Sequence, residues 1–150
     1  MDVELAKRMM DACYQAKRIR DLLPPLPEGV TSAYIQYLDV ILSLERQGIQ
    51  VKVSDISDAL ALPRPGVTRT IKDMEVKGYV KKMASPEDGR VTYLSVTDAG
   101  RQLEKKYSEQ YFNALAPCME EISEEDAICM IRTIEQFYKI MCERRISIDK

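Results

Sequence analysis

At Gly78 the apolar residues change their spacing from the period of a helix to that of a strand. Before it, Asp55-Ile56-Ser57-Asp58-Ala59-Leu60 reads as a short helix with Ser54 as its N-cap and acids in the first turn, where the helix dipole favours them. Ala61-Leu62-Pro63-Arg64 makes a turn. Pro65 suits the first residue of a second helix, whose buried side is Val67, Ile71, Met74 and, at its end, Val76. After Gly78, the runs Tyr79 to Ala84 and Val91 to Val96 are rich in β-branched and aromatic residues. They flank Ser85-Pro86-Glu87-Asp88-Gly89-Arg90, a loop with Pro and Asp-Gly turn signals. Two short helices across a tight turn, followed directly by a hairpin, make a winged helix-turn-helix. The fold class is therefore mainly α with a small β wing.

Further helices flank this middle. Leu5, Met9, Ala12, Ala16, Ile19 and Leu23 form a heptad stripe on a helix from about Val3 to Leu23, which stops at Pro24-Pro25-Leu26-Pro27-Glu28-Gly29. So narrow a seam suits a partner helix, and the periodicity fits a stripe covering an intrachain core equally well. A second helix from Ser32 to Arg46 is apolar at Ala33, Tyr34, Tyr37, Leu38, Ile41, Leu42 and Leu44, with Gly48 as its C-terminal cap. Val51-Lys52-Val53 is long enough for a single strand bridge only. Thr97 caps a long helix through Leu103, Tyr107, Tyr111 and Ala114 to Pro117. Ser123 and Asp126 form a capping box that opens a last helix with Ile131, Ile134, Tyr138 and Met141 on one side. The expected organisation is a winged helix-turn-helix domain over residues 31–100, with helical regions over 1–30 and 101–150.

Composition excludes several classes. Of the 150 residues, 45% are hydrophobic and 31% charged, the balance of an ordinary globular domain. No uncharged stretch exceeds the ten residues of Gly29 to Leu38, too short to span a membrane, and the N-terminus has acids where a signal peptide needs a basic start. The expected location is the cytoplasm. Four cysteines (Cys13, Cys118, Cys129, Cys142) include no CxxC pair, and there is no histidine, so neither a metal site nor a cofactor is expected. The missing histidine also removes the commonest general base, and the chain is not expected to be an enzyme.

The formal charge of −2 hides an uneven distribution. From Leu62 to Thr92 seven basic residues (Arg64, Arg69, Lys72, Lys77, Lys81, Lys82, Arg90) meet four acids (Asp73, Glu75, Glu87, Asp88). Glu120 to Asp126 alone supplies five acids of the remaining chain. Such a polarity presents one face to a polyanion. With Val67, Ile71 and Met74 facing inward, Arg64, Thr68, Arg69 and Lys72 face away; Thr68 and Arg69 can reach base edges, while Arg64 and Lys72 suit phosphates. Taken singly, each is equally an ordinary solvated residue. At the wing, Asp88-Gly89 is a frequent hairpin turn; as a contact, Arg90 enters a minor groove while Asp88 orients its guanidinium.

The ordered set Ile56-Ser57-Asp58-Ala59-Leu60, Val67-Thr68-Arg69-Thr70-Ile71, Met74-Glu75-Val76-Lys77-Gly78-Tyr79-Val80, Asp88-Gly89-Arg90 and Val96-Thr97-Asp98-Ala99-Gly100 resembles the MarR family of bacterial transcriptional regulators. Ser57 stands where that family favours alanine, Met74 where it favours leucine and Lys82 where arginine is usual. The resemblance implies a homodimer on a palindromic double-stranded DNA operator, with the terminal helices as the dimerisation region and Arg90 as the wing arginine. The DNA-contacting set is then Arg64, Thr68, Arg69, Lys72, Lys82, Asp88 and Arg90. It also implies a ligand-responsive repressor whose effector is a small aromatic or anionic compound, for which Tyr14, Tyr34, Tyr37, Tyr107 and Tyr111 could line a cleft; the plainer reading makes them core and interface residues. Other members sense oxidants near the first helix, where Cys13 is the candidate, against a reading of all four cysteines as buried structural thiols. The alternative function is a winged-helix protein-interaction module without DNA binding.

Overall fold

Spacings of four and three along Val67, Ile71 and Met74 put three side chains on one helix face, and all three are fully buried in the computed structural model, which describes residues 1–149. The elements are α1 (Val3–Asp21), α2 (Ser32–Arg46), α3 (Val53–Leu60), α4 (Arg64–Val76), β1 (Val80–Ala84), β2 (Thr92–Val96), α5 (Asp98–Glu104), α6 (Tyr111–Leu115) and α7 (Glu124–Glu143). The chain divides into two units, Met1–Glu109 and Gln110–Lys150.

The first unit holds the core. Tyr34, Tyr37, Leu38 and Ile41 of α2 meet Ile56 of α3, the inner face of α4, Val80, Leu94 and Val96 of the hairpin, and Leu103 of α5. The strands pair antiparallel with Val80 opposite Val96 and Lys82 opposite Leu94, and Val51 adds the single expected bridge, its carbonyl accepting from the Leu94 amide at 2.8 Å. The hairpin is thus anchored on the core at its base, and its far end runs free as the wing.

The junction between α4, the hairpin and α5 is built from backbone. Gly78 adopts φ +84°, and the amides of Tyr79 and Gly78 return to the carbonyls of Met74 (2.9 Å) and Glu75 (3.0 Å), which closes α4 with a left-handed residue that glycine accommodates without steric cost. Thr97 then donates its hydroxyl to the Gly78 carbonyl at 2.6 Å and accepts from the Gly100 amide at 3.1 Å, capping α5 on the end of α4.

Some boundaries differ from expectation. Ser54 is not the cap of α3: the helix starts at Val53, and Asp55 accepts from the Lys52 amide at 2.8 Å. Helix α4 starts at Arg64, one residue before Pro65. Val76 is 80% exposed, because two residues beyond Met74 is more than half a helical turn away from the buried face. The long helix expected after Thr97 is interrupted: Lys105–Gln110 is a π-helical segment, which leaves α5 and α6 short.

The heptad stripe of α1 covers no core within the chain, for no residue of α1 is buried. The second unit likewise buries no residue of α6 or α7; α7 is capped as expected by Ser123 accepting from the Asp126 amide at 3.0 Å, and it carries Ile131, Ile134, Tyr138 and Met141 exposed.

A β-carbon at Gly100 would lie 2.3 Å from the Tyr79 carbonyl oxygen and 2.7 Å from Val96 Cγ1, whereas one at Gly66, inside α4, would meet nothing within 4 Å. Urea unfolding should therefore show Gly100→Ala destabilised by about 3 kcal/mol, as overpacking against immovable backbone requires, and Gly66→Ala stabilised by about 0.5–1 kcal/mol. Equal effects of the two would mean that α5 does not seat on the Tyr79 carbonyl.

Candidate nucleic-acid interface

Helix α4 owes its orientation to the turn before it. Ala61 takes a left-handed φ of +51°, rare for a residue with a β-carbon, and the Leu62 amide returns to the Ser57 carbonyl at 3.0 Å. The buried Ser57 hydroxyl donates to the Leu62 carbonyl, so the serine that stands in a position resembling an alanine site ties the turn from both ends. Pro63 is extended and leads into Arg64. With Val67, Ile71 and Met74 committed to the core, Arg64, Thr68, Arg69 and Lys72 are all exposed.

The wing tip is a self-bonded turn. Ser85 donates its amide to the Val91 carbonyl at 2.8 Å, and its hydroxyl accepts from the amides of Glu87 (3.2 Å) and Asp88 (3.3 Å). Asp88 Oδ1 accepts from the Arg90 amide at 3.0 Å and lies 3.5 Å from Arg90 Nε. The carboxylate thus holds the Arg90 backbone firmly and its guanidinium loosely, and the side chain projects 94% exposed.

Three of the seven basic residues are engaged within the chain: Arg90 with Asp88, as described, and Lys82 and Lys77. Lys82 shares the inner face of the hairpin with Leu94 and places Nζ 3.6 Å from Glu75 Oε1 on α4. Lys77 donates to the Gly29 carbonyl at 2.5 Å and to the Tyr34 hydroxyl at 3.0 Å. The Tyr34 contact raises its pKa, more than desolvation lowers it. Spacing along the chain carries no hint of this, since the two partners lie 48 and 43 residues away. Arg64, Arg69, Lys72 and Lys81 have no side-chain partner among the described residues and stand as uncompensated charge.

Of the five tyrosines expected to line a cleft, three meet at the core of the first unit, where Tyr107 packs against the cluster that holds Tyr34 and Tyr37. Tyr34 and Tyr37 are buried in the core, Tyr14 is exposed on α1, and Tyr107 and Tyr111 are half-buried in different units. A cleft of about 410 Å³ does open on the first unit, and none of these tyrosines lines it; its walls are Leu42, Glu45, Arg46, Arg101, Glu104, Lys105 and Glu109. Arg101 pairs with Glu45 at 3.3 Å, and Ser108, buried in the π-helical segment, donates to Asp39 at 3.0 Å. Cys13 is free and exposed, and so are Cys118, Cys129 and Cys142, so none is a buried structural thiol.

The sequence signature of the MarR family matches residues 28–91. The uncharacterized HTH-type transcriptional regulator YdgJ of Bacillus subtilis is 28% identical over 105 residues, which are 68% of this chain and 63% of that protein, so the chain spans less than two thirds of its length. The organic hydroperoxide resistance transcriptional regulator of Bacillus subtilis is 32% identical over 82 residues, 55% of this chain and 54% of that one. Among solved structures, Streptococcus pneumoniae FabT in complex with DNA superposes with a TM-score of 0.65 at 19% identity, over 95% of this chain and 99% of that one. At that identity the likeness establishes the fold.

The acids beside the cleft generate a pH dependence. Burial pushes the Glu104 carboxyl above the usual carboxylate range, reinforced by Asp39 and the charge of Glu109 and opposed by Arg46. A carboxyl raised by folding contributes stability when protonated and loses it as pH rises through its folded value. Thermal unfolding of Glu104→Gln should therefore exceed wild type at neutral pH, and the gap should close as the pH falls below the carboxylate range. A gap that widens on acidification would contradict this environment.

Proposed function

We propose that the chain is a MarR-family winged-helix protein and a homodimeric transcriptional regulator, a repressor that binds a palindromic operator in double-stranded DNA. The observation that carries the reading is the exposed face of α4, where Arg64, Thr68, Arg69 and Lys72 have no side-chain partner among the described residues, beside a wing that projects Arg90. Thr68 and Arg69 lie where a recognition helix meets base edges, Arg64 and Lys72 where it meets phosphates, and Arg90 where a hairpin tip reaches the minor groove. Lys82, held toward Glu75, supports the wing from behind, and Asp88 shapes the turn that aims Arg90. The fold shared with FabT, whose structure contains DNA, supports the same reading.

Dimerisation rests on a different observation. Helices α1 and α7 carry apolar stripes that the chain itself does not bury. Apolar stripes of this length in water call for a partner, and two copies supply the paired recognition helices that a palindrome needs. In sedimentation the chain should run as a dimer at micromolar concentration; a monomer under those conditions would remove the assembly on which operator reading depends.

The DNA contacts separate by salt and by sequence. Against a duplex selected from random sequence by the wild-type chain, Arg69→Ala should cost about 1–3 kcal/mol and relax preference at particular positions, while Lys72→Ala should weaken selected and scrambled duplexes alike and flatten the salt slope by roughly 1. Arg90→Ala should lower affinity by more than about tenfold with the fold intact, since a guanidinium desolvated in a narrow groove has no substitute. Wild-type affinity in all three variants would favour a protein-interaction module instead.

A further inference from the structure

Lys77 is the residue at which α4 ends, and its ammonium turns inward onto the segment between α1 and α2. It donates to the Gly29 carbonyl at 2.5 Å and to the Tyr34 hydroxyl at 3.0 Å, and it lies 5.1 Å from the centre of the Tyr34 ring, within cation–π range. Each partner is itself held. Tyr34 is only 4% exposed and packs edge-on against Tyr79, with ring centres 6.2 Å apart, immediately beyond Gly78. Gly29 is at φ +76°, the Val30 amide returns to Pro27 at 3.0 Å, and a β-carbon on Gly29 would lie in ordinary contact with Lys77 Nζ at 3.4 Å. Three prolines restrict the backbone of this segment, which runs from the end of α1 to the start of α2. A lysine ammonium has three donors, and two are spent here.

We propose that Lys77 is a positioning residue: it latches the C-terminal end of α4 to the segment leading out of α1, so that the recognition helix is held at a set angle relative to the helix that pairs the two copies. The inference rests on the DNA-binding reading above. It gives the basic residue at the end of α4 a mechanical task in place of a contact to DNA. The elevated pKa of Lys77 agrees with an ammonium held by Tyr34. With the latch open, α4 keeps its own cap at Gly78 and its core face, so the helix persists while its angle loosens. Looser alignment of two linked helices lowers affinity for a spaced palindrome and leaves the number of phosphates contacted unchanged.

Tyr34→Phe provides the decisive arm, because a buried hydroxyl touches no DNA. The full chain, Lys77→Met, Tyr34→Phe and the double variant are titrated on the duplex selected by wild type and on a scrambled duplex, over a range of salt, after circular dichroism and sedimentation have established fold and assembly. A latch predicts that Lys77→Met loses about tenfold on the selected duplex, that Tyr34→Phe loses in the same direction, and that the double variant loses no more than Lys77→Met, with the salt slope of wild type throughout. A phosphate contact predicts instead a slope lower by about 0.9 for Lys77→Met and wild-type behaviour for Tyr34→Phe, and that result overturns the latch while leaving DNA binding standing. If Lys77→Met unfolds, Tyr34→Phe alone decides: unchanged affinity overturns the proposal. A wild-type chain that selects no duplex overturns the DNA-binding reading and the latch with it.

Discussion

Everything that points outward from this winged helix depends on one close backbone approach, that of α5 onto the carbonyl of Tyr79. Four chain directions meet there within a few residues: α4 stops at Gly78, β1 leaves from Val80, β2 returns at Val96 and α5 starts after Thr97. Thr97 joins them by donating to Gly78 and accepting from Gly100. Because Gly100 has no side chain, α5 can lie close enough for those bonds, and the direction of the hairpin relative to α4 follows. The wing and the exposed face of α4 are thus coupled through the Thr97 hydroxyl and through main-chain atoms, with the Thr97 amide donating to the Tyr79 carbonyl at 3.1 Å.

The charge of the chain acquires meaning only after its internal pairs are counted. By sum the protein is slightly acidic, and by segment its middle is basic. Lys82 is paired with Glu75, and Lys77 keeps its charge but is held in place by the neutral groups of Gly29 and Tyr34, which leaves Arg64, Arg69, Lys72, Lys81 and the loosely held Arg90 as the charges free to meet a partner. Exposed ion pairs such as Lys82 with Glu75 add little stability, roughly 0–1 kcal/mol, so their effect here is chiefly on direction. Arg90 shows the same division of labour, since Asp88 fixes its backbone and leaves its side chain to solvent.

The cleft beside α2 differs in character from the surface of α4. Its acids and bases alternate, Arg101 is paired, and Glu104 is pushed toward its neutral form by burial beside Asp39. It opens where the π-helical segment interrupts what periodicity predicts as one continuous helix. A π-helical turn shifts the faces of the residues that follow it, and Ser108 is thereby brought to Asp39, 69 residues away.

Much of this protein was legible in its sequence. The helix over Ser32–Arg46, the inner face of α4, the hairpin, the bridge at Val51 and the caps at Thr97 and Ser123 all follow from spacing and local hydrogen-bonding chemistry, which act over a few residues. The exposure of Thr68, Arg69 and Lys72 follows in turn, because burying three side chains of a helix determines which others face away. Tertiary structure alone decided that Ser57 ties the helix-turn-helix turn, that Lys82 and Lys77 bond within the chain, that the Tyr34 hydroxyl receives Lys77, and that no residue of α1 is buried. The partners of Lys77 lie 48 and 43 residues away, and even where a partner is nearer, as for Ser57 and Lys82, no periodicity records which group a side chain will meet once the chain has closed on itself.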